Sequence, residues 1–118
     1  MKRQIINLMK APLISVIINC HNGQKYLKSC IKSILNQDYN NFEIIFWNNS
    51  STDKSEEIIK KFKDKRIRIF SSKKFLKLYK SRNLAINKAK GSFVTFCDAD
   101  DMWMKNKLSK QVDLLKKN

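Results

Sequence analysis

Three carboxylates fall within four positions at Asp98, Asp100 and Asp101, directly after the apolar and β-branched run Phe93-Val94-Thr95-Phe96-Cys97. The chain holds 10 acidic residues against 25 basic ones, so this cluster inverts the local sign of charge. Uncompensated carboxylates are costly in a low-dielectric interior, so a buried strand that ends in three of them must deliver them to solvent or to a cation. Such an arrangement suits a divalent ion, because Mg²⁺ is commonly held by one or two carboxylates together with substrate phosphates. The same residues are open to a second reading, as caps of a following helix. Two more polar clusters end apolar runs: Asn19-Cys20-His21-Asn22-Gly23 and Asn48-Asn49-Ser50-Ser51-Thr52-Asp53.

The elements that must carry these clusters follow from periodicity. Leu13-Ile14-Ser15-Val16-Ile17-Ile18 is a near-continuous apolar run of strand length, as expected of a strand covered on both faces. Leu27, Ile31, Ile34 and Leu35 recur at helical spacing and predict an amphipathic helix over 24–36. Phe42-Glu43-Ile44-Ile45-Phe46-Trp47 reads as a second strand. Thr52 or Asp53 then caps a helix from Lys54, with Glu56 and Glu57 in the first turn, where the dipole favours them. Ile58, Ile59 and Phe62 give that helix its apolar side. Arg66-Ile67-Arg68-Ile69-Phe70 alternates as a half-exposed or edge strand does, and a basic loop follows over 71–77. A helix over 78–90 places Leu78, Leu84, Ala85 and Ala89 toward the core, with Gly91 as its stop. Residues 93–97 form the acidic strand, expected to be buried, and a last helix over 105–116 presents Leu108, Val112 and Leu115.

Strand and helix alternating in this way imply an α/β fold with a mostly parallel sheet and right-handed crossovers. Ligands bind such sheets beyond the carboxyl ends of the strands, where the strand order reverses. With the order 3-2-1-4, Asn19–Asn22 stand beside Asp98–Asp101, and Asn48-Asn49 one strand further away.

At 118 residues and 42% hydrophobic the chain suffices for one small domain with a core. Residues 1–11 read as a basic N-terminal arm without the features of a signal peptide, and no apolar run approaches the ~20 residues of a membrane span. Cys20, Cys30 and Cys97 are odd in number and lack paired-ligand spacing, which suits reduced thiols in a cytoplasmic protein. The net charge of +15 is open to three readings: lysines on solvated faces, attraction to an anionic membrane or acidic lipid-linked acceptor, and nucleic-acid binding. Lys60, Lys61, Lys63, Lys65, Lys73, Lys74, Lys77 and Lys80 read as scattered, which favours the first and makes nucleic acid the weakest.

Several stretches resemble the family-2 glycosyltransferases. They are Ser15-Val16-Ile17-Ile18 with Asn22, the segment from Tyr26-Leu27 through Asn36-Gln37, Asn41-Phe42-Glu43-Ile44-Ile45, Ser51-Thr52-Asp53, Ser81-Arg82-Asn83-Leu84-Ala85-Ile86, Ala89-Lys90-Gly91, and Asp98-Ala99-Asp100-Asp101. The resemblance covers about residues 12–115 and implies the Rossmann-like half of a GT-A fold. It further implies transfer of a sugar from a nucleotide diphosphate donor, UDP-linked by family habit, with Mn²⁺ or Mg²⁺. On that resemblance Asp100, with Asp98 or Asp101, holds the metal, and Asp98 alternatively accepts from the ribose. Asn19, His21, Asn22, Asn48 and Asn49 line the base and ribose pocket. Arg82 pairs with a phosphate or an aspartate, or is a solvated helix residue.

Departures from the family pattern are Asn19 in place of Pro or Thr, His21 in place of Tyr, and Asn48 in place of Asp. His21 either stacks on a base or is an ordinary loop histidine; Asn48 keeps an acceptor oxygen but loses the charge. The acceptor site and catalytic base of such enzymes lie further downstream, and Asp113 in the last helix reads as a surface residue. Residues 12–118 are therefore expected to be a nucleotide-sugar-binding domain cut before its acceptor-binding half, with the fourth strand at an exposed edge that a partner or second copy covers. A non-catalytic nucleotide-binding or interaction module of the same fold is the second expectation. The expected setting is the cytoplasm, peripheral to the membrane, with a glycan or lipid-linked acceptor.

Overall fold

A computed structural model describes residues 11–117. Except for Ala11, the expected basic arm lies outside the described residues. The elements are β1 (Ile14–Cys20), α1 (Leu27–Leu35), β2 (Phe42–Asn49), α2 (Ser55–Lys60), β3 (Ile67–Ser72), α3 (Leu78–Lys88), β4 (Phe93–Phe96) and α4 (Lys107–Lys116). The strands form one parallel sheet in the order β3-β2-β1-β4, as the alternation of elements implies. β1 is central, with Ile17 opposite Ile45 on one side and Phe96 on the other.

Side chains alternate between the two faces of a strand, which divides the core. Val16, Ile18, Ile44 and Phe46 pack on one face against Leu27, Ile31 and Ile34 of α1, Ile59 of α2, and Leu108 and Val112 of α4. Ile17, Ile45 and Trp47 pack on the other against Ala85 of α3 and Phe70. Among the described residues three helices cover the first face and one covers the second. β1 and β2 are almost continuously buried for that reason, and their sequences are correspondingly apolar.

Several expectations change in detail. α1 starts at Leu27, not 24, after a turn in which the Gly23 carbonyl accepts from the N–H groups of Tyr26 and Leu27. α2 starts at Ser55 with Lys54 at the cap position and no side-chain bond from it; Asp53, not Thr52, reaches the first turn from one residue earlier, its Oδ1 accepting from the Ser55 N–H at 2.9 Å. In α3 the buried residues are Ser81 and Ala85, whereas Leu78 is 53% and Leu84 41% exposed. Small side chains let α3 lie close over the sheet, and its leucines are displaced to the flanks. The extended backbone of Ala89 ends α3, so Gly91 is not the stop. Gly91 instead allows close approach to β1: a Cβ there would lie 2.6 Å from Ser15 Oγ and 2.8 Å from the Leu13 carbonyl oxygen. β4 ends at Phe96 and is half-buried, not buried, because among the described residues it pairs only with β1 and its Val94 and Phe96 lie on the thinly covered face. Leu115 of α4 is exposed while Leu108 and Val112 are buried.

At the amino end of the sheet Glu43 draws four segments together. Its Oε2 accepts from Ser15 Oγ and from the Lys90 N–H, each at 2.6 Å, and its Oε1 accepts from Arg68 Nη1 at 2.9 Å. Burial pushes its carboxyl up, but these donors outweigh burial and hold it below the usual carboxylate range. No helix among the described residues is long and apolar enough to cross a membrane.

Candidate functional site

The carboxyl ends of β1 and β4 open into a cleft of about 500 Å³ lined by Asn19, His21, Asn22, Gly23, Lys25, Tyr26, Asp98, Ala99 and Asp100. This is the place where the strand order reverses. The Cys97 N–H continues the pairing to the Ile17 carbonyl at 2.9 Å, and the Asp101 N–H closes a turn on the Asp98 carbonyl at 3.0 Å. That turn brings one carboxylate oxygen each from Asp98, Asp100 and Asp101 within 4.8 Å of one another, all three residues exposed. The capping reading fails, since α4 starts only at Lys107 and receives no side-chain cap.

A divalent ion fits the cluster. Opposite oxygens around octahedral Mg²⁺ stand roughly 4.2 Å apart, so small side-chain rotations suffice. Asp98 and Asp100 line the cleft, so an ion held there would leave room beside it for phosphate oxygens of a ligand.

Gly23 makes the meeting of the two loops possible. A Cβ there would lie 2.8 Å from Cys20 Sγ and 3.2 Å from the Ala99 Cβ, so any side chain would press on the loop that carries the acids. Asn22 adopts the left-handed backbone region (φ 53°), where Asn is among the tolerated residues. Its Oδ1 accepts from the Thr52 N–H at 2.7 Å and the Asp53 N–H at 3.3 Å. Asp53 Oδ2 accepts from the Gln24 N–H at 3.0 Å, and Ser55 Oγ accepts from the Gly23 N–H at 2.9 Å. The Ser51-Thr52-Asp53 stretch thus braces the β1–α1 loop.

His21 Nδ1 lies 2.8 Å from the Asn49 carbonyl oxygen. A carbonyl only accepts, so that nitrogen carries a proton, and the ring is fixed with Phe75 edge-on to it at 4.6 Å. Asn19 is the half-buried residue of β1; its Oδ1 is buried and has no hydrogen-bond partner among the described residues.

Asn48 and Asn49 do not reach the cleft lining. Asn48 Oδ1 accepts from the Ser51 N–H at 3.1 Å and holds the turn at Ser50. Asn49 donates to the Leu76 carbonyl and accepts from the Leu76 N–H, both at 2.8 Å, which pins the loop after β3. Polar residues at a strand end serve either a ligand or the adjoining loop, and here both serve the loop. Among the described residues Arg82 is paired with no carboxylate; its guanidinium lies over the Phe96 ring, 4.8 Å from the centroid. Lys25 and Tyr26 line the cleft without having been singled out from the sequence, because the helical pattern absorbed them.

Beneath the acidic turn, the Sγ atoms of Cys30 and Cys97 are 3.7 Å apart, and the Cys30 thiol donates to the Asp98 carbonyl at 3.4 Å. The hydrogen bond with Cys30, followed by burial, pushes the Cys97 thiol far up. The two buried side chains form the floor of the turn.

A profile of Glycosyl transferase family 2 matches residues 15–118. An uncharacterised glycosyltransferase of Haemophilus influenzae is 41% identical over 112 residues, which are 93% of this chain and 45% of that protein. The Escherichia coli protein WfgD, named as a UDP-Glc:alpha-D-GlcNAc-diphosphoundecaprenol beta-1,3-glucosyltransferase, is 32% identical over 106 residues, 90% of this chain and 42% of its own length. The crystal structure of S. aureus TarS 1-349 in complex with UDP-GlcNAc superposes with a TM-score of 0.81 at 28% identity, covering 88% of this chain and 31% of that one. The chain therefore spans less than half the length of these relatives. With its sheet order, its crossovers and this match along nearly its whole length, the chain belongs to glycosyl transferase family 2 and has the GT-A architecture.

Proposed function

We propose that this chain binds a UDP-linked sugar together with Mn²⁺ or Mg²⁺, as the donor-binding portion of a glycosyltransferase. The observation that carries the reading is the convergence of one carboxylate oxygen each from Asp98, Asp100 and Asp101 within 4.8 Å of one another, with Asp98 and Asp100 lining the cleft beside β1 and Asp101 on its far side. The TarS complex supports UDP as the nucleotide, and the naming of WfgD supports the same nucleotide and a lipid-linked acceptor.

Asp100 and Asp101 hold the ion, with Asp98 either completing the set or accepting from the ribose. A divalent cation there would offset the negative charge that builds on a departing diphosphate. Asn19, His21 and Asn22 line the base and ribose end, and Lys25 offers a cation at the rim. Arg82 is free to exchange its contact with Phe96 for a phosphate oxygen. The setting is the cytoplasmic face of a membrane.

One observation favours a binding module without turnover as the second reading: the described cleft lining holds no carboxyl outside the aspartate cluster to serve as a base. Calorimetric titration with UDP and Mn²⁺ tests the first claim. Binding should require the metal and be lost in Asp100→Ala; metal-independent binding, or full binding by that variant, would refute it. Donor hydrolysis or sugar transfer then separates enzyme from module.

A further inference from the structure

We infer that the segment from Lys73 to Lys80 is a docking surface for an anionic lipid bilayer, set at the mouth of the cleft. Phe75 is 61%, Leu78 53% and Tyr79 59% exposed, and Lys73, Lys74, Lys77 and Lys80 alternate with them, all exposed. Read along the sequence those lysines are scattered; in the fold they stand exposed on the loop after β3 and the first turn of α3, interspersed with large apolar side chains that are exposed too. The segment is held firmly, because Asn49 binds both the N–H and the carbonyl of Leu76 at 2.8 Å. The apolar groups therefore stand out from a fixed loop and the first turn of α3.

Charge selects the partner. From Lys65 to Cys97 the chain has no acidic residue and 10 lysines and arginines, so nothing on this stretch neutralises the lysines. Leu, Phe and Tyr entering the headgroup boundary while lysine ammoniums remain at the phosphates is the pattern of interfacial binding. Leu78 has no face on which a base can stack, which favours a bilayer over nucleic acid.

Position supplies the consequence. α3 starts at the carboxyl end of the sheet, and Phe75 meets His21 of the cleft lining at 4.6 Å. A bilayer seated on this segment would have the cleft opening beside its headgroups, within reach of an acceptor anchored there.

The test is flotation of the full 118-residue chain with vesicles of phosphatidylcholine alone, or with about one-third phosphatidylglycerol, at roughly 0.15 M salt and without nucleotide or metal. Binding is expected to the anionic vesicles only. Changing Lys73, Lys74, Lys77 and Lys80 to Gln should lower partitioning by about a hundredfold or more, and Leu78→Ser with Tyr79→Ser by about tenfold. All these residues are exposed, and circular dichroism checks the fold of each variant. An equal loss on changing Lys60, Lys61, Lys63 and Lys65 to Gln would reduce the effect to net charge and overturn the proposal. So would tighter binding to a single-stranded oligonucleotide that depends on the same four lysines. The assay contains no donor, so its failure leaves the nucleotide reading standing.

Discussion

At the scale of single residues, Asn19 makes the sharpest prediction. A buried carbonyl oxygen without a partner costs about 1–3 kcal/mol, and among the described residues Asn19 Oδ1 is such an atom beside the cleft. Asn19→Ala should therefore leave the melting temperature unchanged or raise it, while the affinity for UDP falls about five- to tenfold through loss of one hydrogen bond. Thermal unfolding and calorimetry on the same preparation check the two signs; a variant that loses stability and keeps affinity would make Asn19 structural. Residue type alone left this role open, as it did for Asn48 and Asn49. All three end apolar strands, and the direction of each side chain decides between them. Asn19 is on the strand next to the acids, whereas Asn48 and Asn49 turn to the Ser50 turn and to Leu76.

At the scale of elements, the meeting of the β1–α1 loop with the acidic turn depends on the missing side chain of Gly23. Gly23→Ala places a methyl against the buried Cys20 Sγ and the Ala99 Cβ. Overpacking of this kind costs about 1–3 kcal/mol, and the separation it forces should weaken metal-dependent UDP binding; denaturant unfolding and calorimetry measure both. The Glu43 junction makes a prediction about acid. Its carboxyl titrates lower when folded than the ~4.3 of a free glutamate. The stability it contributes is fully present above that unfolded value and is lost as pH falls through the lower folded one. Glu43→Gln should cost about 2 kcal/mol at neutral pH and flatten the acid limb of stability against pH. A variant with an unchanged acid limb would remove Glu43 from that account. β1, β2 and α1 were legible in the sequence because both faces of the strands, and one full side of the helix, are covered. α3 was not: its buried face is Ser81 and Ala85, and Leu78 and Leu84 stand outside. An apolar residue at helical spacing marks the core only when a neighbour covers it, and among the described residues the second face of the sheet has a single helix. β4 misled for the same reason.

At the scale of the whole molecule, ligand binding and folding are linked. A nucleotide and metal that bind only the folded chain at about a hundred times their dissociation constant add about 2.7 kcal/mol. In a domain of this size that corresponds to a rise of about 10 °C or more in melting temperature. Scanning calorimetry with UDP and Mn²⁺ should show this rise, and Asp100→Ala should abolish it. The alternation of elements makes the topology readable from the sequence, and the distance between sequence clusters hides only how they close. Ser51-Thr52-Asp53 looked like a helix start and proves also to be the brace for the loop opposite.

The central place of β1 has one more consequence. Along this strand Asn19 faces the cleft and Cys20 the interior, so sliding the pairing by a single residue would exchange them and reverse every apolar side chain at once. A misaligned or partly assembled sheet cannot keep a working pocket. If the proposed UDP binding is found, its affinity becomes a gauge of correct strand alignment, and a preparation that binds UDP in proportion to its protein content is, by that fact, fully assembled.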